Sequence, residues 1–169
     1  AALIRRGYLR QLTLGLSSTK LELSQLSALK SHQQVARLLG YAGLAPFALA
    51  VAALPNPFAF EVMRVYGLVI VAFVCGNAWT TALMNRHAQS PSRSAVLVVS
   101  NLLVLAVAAC ALLPPGIAPL AVNAFAFSIL LMMDYRGQVF APQPRYYRTM
   151  RTYVTAAVVG LHLIGMARI

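Results

Sequence analysis

The feature that most constrains this chain is an apolar run too long and too uniform for a soluble helix. Residues 95–113 read AVLVVSNLLVLAVAACALL, with almost no polar position among them. A helix on the surface of a soluble domain needs a polar face, which this run lacks. In hydrocarbon the backbone must satisfy its own hydrogen bonds, so a run of this length predicts a membrane-spanning helix.

Four other apolar segments resemble this run, and proline-containing turns separate several of them. Proline removes a backbone donor and restricts the residue before it, so Pro55 and Pro57, and later Pro114 and Pro115, predict breaks between helices. Only 10% of the residues are charged, against about a quarter in an ordinary soluble domain. The sequence therefore predicts an all-α integral membrane bundle of five transmembrane helices, at residues 38–54, 62–84, 95–113, 117–133 and 152–166.

The basic residues are divided unevenly between the two ends of these segments. The formal charge is +11, from 14 Lys and Arg against three acids. All but Arg64 and Arg168 fall before the first segment, between the second and third, or between the fourth and fifth. Because loops on the cytoplasmic or matrix side are rich in Lys and Arg, the N-terminus is predicted to lie inside.

The same basic residues indicate what the protein meets on that side of the membrane. Anionic phospholipid headgroups account for them economically. Nucleic acid is not expected as a partner, because the basic residues lack the aromatic stacking platforms that accompany such binding.

A basic extension precedes the transmembrane domain. It takes residues 1–37, and the five helices take residues 38–169. Four leucines between positions 21 and 29 are interspersed with polar residues, which indicates an amphipathic helix lying on the matrix or cytoplasmic surface or against a partner. The other interpretation is a mitochondrial presequence remnant, since the segment is rich in Arg, contains Ser and is nearly free of acids. We expect the mitochondrial inner membrane, with the bacterial cytoplasmic membrane as the alternative.

Polar residues inside the predicted spans are the candidates for function, because burying them in lipid is costly. Asn77 and Thr81 share one face of the second span, where they either hydrogen-bond a neighbouring helix or line a ligand pocket. His162 has no second histidine or carboxylate in its own helix, so helix packing or a place beside a quinone is favoured over haem or metal ligation.

A possible ion pair joins the fourth and fifth spans. Asp134 ends the fourth span, and Arg148 and Arg151 open the fifth on the same side. We expect the acid to pair with these arginines at the membrane interface, with a proton relay as the alternative. The candidate polar residues are all interpreted as structural or partner-contact residues: Asn77, Thr81, Asp134, Arg148, Arg151 and His162.

No sequence pattern supplies a catalytic, cofactor or metal site. The chain contains no GxSxG, HExxH, P-loop or glycine-rich dinucleotide motif. Three acids are too few for most acid–base or metal-dependent chemistry. We therefore expect a protein that is not an enzyme, with no cofactor and no metal.

Four parts of the chain carry a resemblance to a known family. They are residues 39–47 (LGYAGLAPF), residues 66–79 (YGLVIVAFVCGNAW), Asp134, and residues 144–155 (PRYYRTMRTYVT). Together they resemble the uncharacterised bacterial and mitochondrial family that includes transmembrane protein 69, over roughly residues 38–166. The resemblance implies a five-helix inner-membrane protein and supplies no established activity.

This chain departs from the family pattern beside Trp79. The family often has His directly before that Trp and Gly directly after it, where this chain has Ala78 and Thr80. A ligand role for the family histidine is therefore not carried over.

Two functional hypotheses follow. The first is a non-catalytic accessory subunit or assembly factor of a larger inner-membrane complex, of the respiratory chain, because the spans are short, the outer loops small and the active site missing. The second is a membrane protein that carries or binds a lipid, quinone or tetrapyrrole between His162 and the face of Asn77 and Thr81.

Overall fold

A computed structural model of the chain describes residues 30–84, 91–136 and 143–169, which form helices and turns without a strand. Most of the predicted basic extension, residues 1–29, lies outside these residues, and its amphipathic character stays a prediction. The chain divides into two compact units, Ala1–Leu39 and Gly40–Ile169. In the first unit, residues 30–39 are helical.

Within the described residues, the second unit contains five helices. Residues up to 42 continue the first helical stretch, and a turn at Gly43 and Leu44 leads into α1. The helices are α1 (Ala45–Ala53), α2 (Pro57–Met84), α3 (Pro91–Ala111), α4 (Ile117–Arg136) and α5 (Arg145–Ala167).

Five helical stretches within the described residues are long and apolar enough to cross a membrane. They are Lys30–Ala53, Pro57–Met84, Ser94–Ala111, Ile117–Tyr135 and Arg145–Ala167. The prediction of an all-α membrane protein with five spanning helices is confirmed. The direction in which the chain crosses the membrane stays a prediction.

Three helices begin earlier than the apolar pattern predicts, at Pro57, Pro91 and Arg145, because prolines and local hydrogen bonds rather than hydrophobicity mark where they start. The side-chain oxygen of Asn56 accepts a hydrogen bond from the backbone N–H of Phe58 at 2.8 Å. Pro57 then occupies the first helical position, where its missing N–H has no helical partner to lose. Pro144 precedes α5 without a capping side chain, and its carbonyl oxygen accepts from the backbone N–H groups of Tyr147 and Arg148. The polar residues from Arg145 onward therefore form the first turns of α5.

The core lies where α2 meets its neighbours. α2 packs against α1, α3 and α4, and α5 packs against α4 and α1. Phe47 of α1, Val71 of α2, Phe127 of α4 and Val158 of α5 are buried in one apolar cluster. Cys75 lies in the same cluster as a free thiol, consistent with its apolar surroundings in the sequence.

Arg64 and Arg168 are the two basic residues that lie outside the basic extension and the basic loops, and each binds the end of a neighbouring helix. Arg64 of α2 donates to the carbonyl oxygens of Ala111 and Leu113, where α3 ends. Arg168 donates to the carbonyl oxygen of Val51, near the end of α1, at 2.6 Å. The last carbonyls of a helix have no partner within the helix and favour a cation, so both contacts stabilise the bundle.

Candidate functional site

A fully buried histidine lies inside the bundle. His162 of α5 is fully buried, with its ring centroid 5.2 Å from that of Phe47 and 5.7 Å from that of Phe127. Its Nδ1 lies 2.8 Å from the carbonyl oxygen of Val158. Because a carbonyl oxygen only accepts, Nδ1 is assigned the proton and Nε2 carries the lone pair.

An asparagine and a glycine face the other side of this imidazole. Asn123 of α4 is buried, and its amide nitrogen donates to the backbone oxygen of Arg64 in α2 at 3.3 Å. A Cβ placed on Gly67 would overlap that amide nitrogen and lie 3.3 Å from Nε2 of His162. Gly67, Asn123 and His162 therefore meet between α2, α4 and α5.

This group, the His–Asn cluster (Gly67, Asn123 and His162), holds two polar atoms that the described residues leave without a hydrogen-bond partner. They are Nε2 of His162 and Oδ1 of Asn123. The ring of His162 is covered by Phe47 and Phe127, and the amide by the backbone of α2. The cluster therefore fixes how three helices pack. Its polar atoms are buried, so a substrate could not reach them without a movement of the helices.

The described part of the chain brings no three His, Cys, Asp or Glu side chains together in a way that would hold a metal ion. In the His–Asn cluster, Nε2 of His162 is the nitrogen that a ligand would use, and it lies against Gly67, where an added Cβ would be 3.3 Å from it. A tetrapyrrole at Nε2 would require α2 and α4 to move away from α5.

The predicted contact between Asp134 and an arginine is present at the other end of the bundle. Nε of Arg151 donates to Oδ2 of Asp134 at 3.0 Å, and its NH2 group donates to Oδ1 at 3.3 Å. Side-chain exposure is 10% for Arg151 and 15% for Asp134, so the two-point ion pair is largely shielded from its surroundings. It ties the end of α4 to the start of α5. The other predicted partner, Arg148, is exposed.

The structure places the remaining predicted residues on α2. Asn77 and Thr81 are half-buried, and the hydroxyl of Thr81 donates to the backbone oxygen of Asn77 at 2.9 Å. Ten residues separate Asn77 from Gly67, which is about 15 Å along a helix. Asn77 and Thr81 therefore lie well away from His162 along the bundle and do not surround one site with it.

Two residues of the His–Asn cluster were not singled out by sequence reasoning. Asn123 is polar within an apolar span, so the expense of burying an amide in lipid was a signal that could have found it. Gly67 carried no such signal, because its role depends on which side chains of other helices reach it.

One further polar residue lies on the outer surface of the spans. Asn101 is exposed, and it stands seven residues after Ser94 and ten before Ala111 in the span of α3. Its amide nitrogen donates to the backbone oxygen of Leu97 at 2.8 Å. Large apolar side chains surround it on the same helix, with Leu102 59% and Leu105 65% exposed.

A family model described as a protein of unknown function (DUF3429) matches residues 32–167, which is most of the chain. No curated protein matches the chain, and no solved structure matches it.

Proposed function

The chain belongs to the DUF3429 family of unknown function, and we propose that it is a non-catalytic accessory subunit or assembly factor of a larger membrane complex. The observation that carries the proposal is the exposed amide of Asn101 at mid-span. An amide has two N–H donors and an oxygen with two lone pairs. The hydrogen bond to Leu97 uses one donor, so the rest of the group faces outward from α3.

Lipid tails cannot satisfy such an amide, whereas a neighbouring helix can. Side-chain hydrogen bonds across transmembrane helices contribute roughly 1 kcal/mol each. The apolar residues beside Asn101 supply the packing surface, and the amide supplies the point of recognition. This combination supports a partner helix seated against α3.

The positions of the other polar residues favour this function over the carrier hypothesis. The carrier hypothesis places a lipid, quinone or tetrapyrrole between His162 and the face of Asn77 and Thr81. Asn77 lies about 15 Å along α2 from Gly67, the residue of α2 that is beside His162. His162 is also closed off by Phe47 and Phe127.

The finer parts of the proposal depend on the sequence. We propose the mitochondrial inner membrane, because the N-terminal segment is rich in Arg and nearly free of acids. We propose the matrix side for the N-terminus and the basic loops, because loops on that side are rich in Lys and Arg. The large assemblies of that membrane include the respiratory-chain complexes, which we propose as the host. The kinship with transmembrane protein 69 belongs to the same proposal.

Native electrophoresis tests the proposal directly. The tagged chain is extracted in mild detergent, separated on a native gel and analysed by mass spectrometry. We expect migration with a stoichiometric larger partner. Migration as a lone protomer, or as an oligomer of this chain only, contradicts the accessory role.

A substitution at Asn101 tests whether this residue contacts the partner. Asn101→Leu is expected to lower partner recovery about fivefold, the factor that corresponds to roughly 1 kcal/mol. Thr80→Ala is the matched control, because Thr80 is also exposed on a spanning helix and its hydroxyl bonds its own helix at Gly76. Equal recovery of the partner with both variants removes Asn101 from the interface.

A further inference from the structure

A groove runs along the outer surface between α4 and α5, at the end of the bundle where α4 finishes and α5 starts. Its volume of about 460 Å³ falls within the range of small-molecule sites. Leucine, methionine and valine side chains make its walls mainly apolar. The lining residues are Ser128, Leu131, Met132, Tyr135, Ala156 and Val159.

The length of this α4–α5 groove along the helices is enough to hold the part of an acyl chain nearest the headgroup. Tyr135 stands one residue before the end of α4, and Ser128 lies seven residues deeper, about 10 Å along the helix. The hydroxyl of Ser128 donates to the backbone oxygen of Ala124 at 2.8 Å, so it directs little polarity into the groove. An apolar channel that starts at the membrane boundary and runs inward suits a hydrocarbon chain.

The mouth of the groove is polar and amphipathic. Tyr135 is 67% exposed, and its hydroxyl lies 3.4 Å from the hydroxyl of Thr152. Tyrosine is enriched at this level of a membrane, where its ring is in hydrocarbon and its hydroxyl meets the headgroups.

Two arginines continue the α5 wall of the groove beyond its mouth. Arg145, Arg148, Thr152, Ala156 and Val159 follow one another at spacings of three, four, four and three residues, which places them along one face of α5. Both arginines are exposed. The apolar α4–α5 groove therefore leads to two cations on the same face of α5.

The nearby acid does not neutralise this pair of cations. Of the two acids that the structure describes, Glu61 pairs with Arg64 at the other end of the bundle, and Asp134 pairs with Arg151. The charge at the groove mouth is therefore positive, and it complements a phosphate.

We propose that the α4–α5 groove binds one anionic phospholipid, with an acyl chain in the groove and the phosphate against Arg145 and Arg148. The zwitterionic headgroup of phosphatidylcholine would bring its own cation to the arginines, so an anionic lipid is preferred. This inference does not depend on the accessory role, because its site lies on different helices from Asn101.

Native mass spectrometry with defined lipids tests the headgroup part. The purified full chain is titrated with phosphatidylglycerol and with phosphatidylcholine of the same acyl chains. We expect tighter binding of phosphatidylglycerol, and we expect the double variant Arg145→Gln with Arg148→Gln to lose this preference. The loss should be roughly fivefold per arginine, or about 25-fold together. Thr80→Ala, on the exposed surface of α2, is the control and should bind as the wild type does.

A second measurement tests the acyl-chain part. Phosphatidylglycerol with a diazirine in its acyl chain is photolysed on the wild-type protein, and the adducts are located by peptide mass spectrometry. We expect adducts on α4 and α5 at the groove lining, with Leu131 and Met132 foremost. Ala156→Phe, which fills the groove, should abolish these adducts, and the wild-type map stands even if this variant fails to fold.

Three outcomes overturn the proposal. Equal binding of the two lipids means that the arginines do not select an anion. Adducts spread over all spans mean that the lipid is only part of the general annulus. Complete displacement of the lipid by millimolar inorganic phosphate means that the arginines bind a phosphate without help from the groove.

Discussion

Arg64 binds the carbonyl oxygen of Leu113 at 3.1 Å, although 49 residues separate them in sequence. The same guanidinium donates to the carbonyl oxygen of Ala111 and pairs with Glu61 at 2.5 Å. The last carbonyls of α3 would otherwise lack partners at the end of the helix. Arg64 thus holds α2 and α3 in register at the end of the bundle away from the Asp134–Arg151 pair.

Removing this guanidinium should loosen the α2–α3 pair. Arg64→Met is expected to lower the free energy of unfolding by about 2 kcal/mol, because charge-assisted hydrogen bonds to helix-end carbonyls are lost. Titration with sodium dodecyl sulfate, followed by circular dichroism in mild detergent, measures the change. Arg145→Gln is the control, since Arg145 is exposed. An unchanged midpoint for Arg64→Met would show that the helix end is satisfied by other groups.

The Asp134–Arg151 pair should behave as a coupled unit. Asp134→Asn leaves a shielded arginine without its counterion and is expected to destabilise the protein by about 3 kcal/mol. The double variant Asp134→Leu with Arg151→Met should be more stable than Asp134→Leu alone and than Arg151→Met alone, because it leaves no uncompensated charge. The same detergent titration gives all free energies. Strictly additive effects would argue against a direct interaction between these side chains.

The spans and the Asp134–Arg151 contact could be predicted from the sequence because both are local in origin. Apolar length alone identifies a segment that must cross hydrocarbon. Asp134 and Arg151 flank one connection between consecutive helices, so chain connectivity brings them near each other. The helix starts at Pro57, Pro91 and Arg145 precede the predicted starts by several residues, because hydrophobicity does not report the prolines and local hydrogen bonds that mark them.

The His–Asn cluster lay beyond this reasoning for a physical reason. His162, Asn123 and Gly67 belong to three helices, and their meeting depends on the rotation of each helix about its axis. A helix that is apolar on all sides has little hydrophobic periodicity, so its sequence does not show which face turns inward. For the same reason the exposure of Asn101 follows only from how α3 packs against α2 and α4.

The orientation of the bundle can be measured with single cysteines. In a background of Cys75→Ala and Cys110→Ala, Leu112→Cys places a thiol in the turn after α3, where Leu112 is 89% exposed. Arg145→Cys places one at the opposite end. With the basic loops inside, a membrane-impermeant maleimide should label position 112 from outside and position 145 only after permeabilisation. The reverse pattern would invert the proposed topology.

The close approach at Gly67 leads to the sharpest expectation about packing. A Cβ there would overlap the amide of Asn123 and press on Nε2 of His162 at 3.3 Å. Gly67→Ala is therefore expected to lower the free energy of unfolding by about 1–3 kcal/mol, as overpacking does in a close-packed interior. The same change at Gly76 meets nothing within 4 Å, so Gly76→Ala should be neutral or slightly stabilising, because alanine favours helix.

A second variant separates this clash from a general effect of alanine in α2. Asn123→Ala removes the side chain that the new methyl group would strike. In combination with Gly67→Ala it should cost less than the sum of the two single changes, because the methyl fills part of the space that the amide vacates. Detergent titration of the four proteins gives the coupling free energy. A coupling near zero would mean that α2 and α4 are not in contact at Gly67 and Asn123, and the packing described for the His–Asn cluster would have to be abandoned.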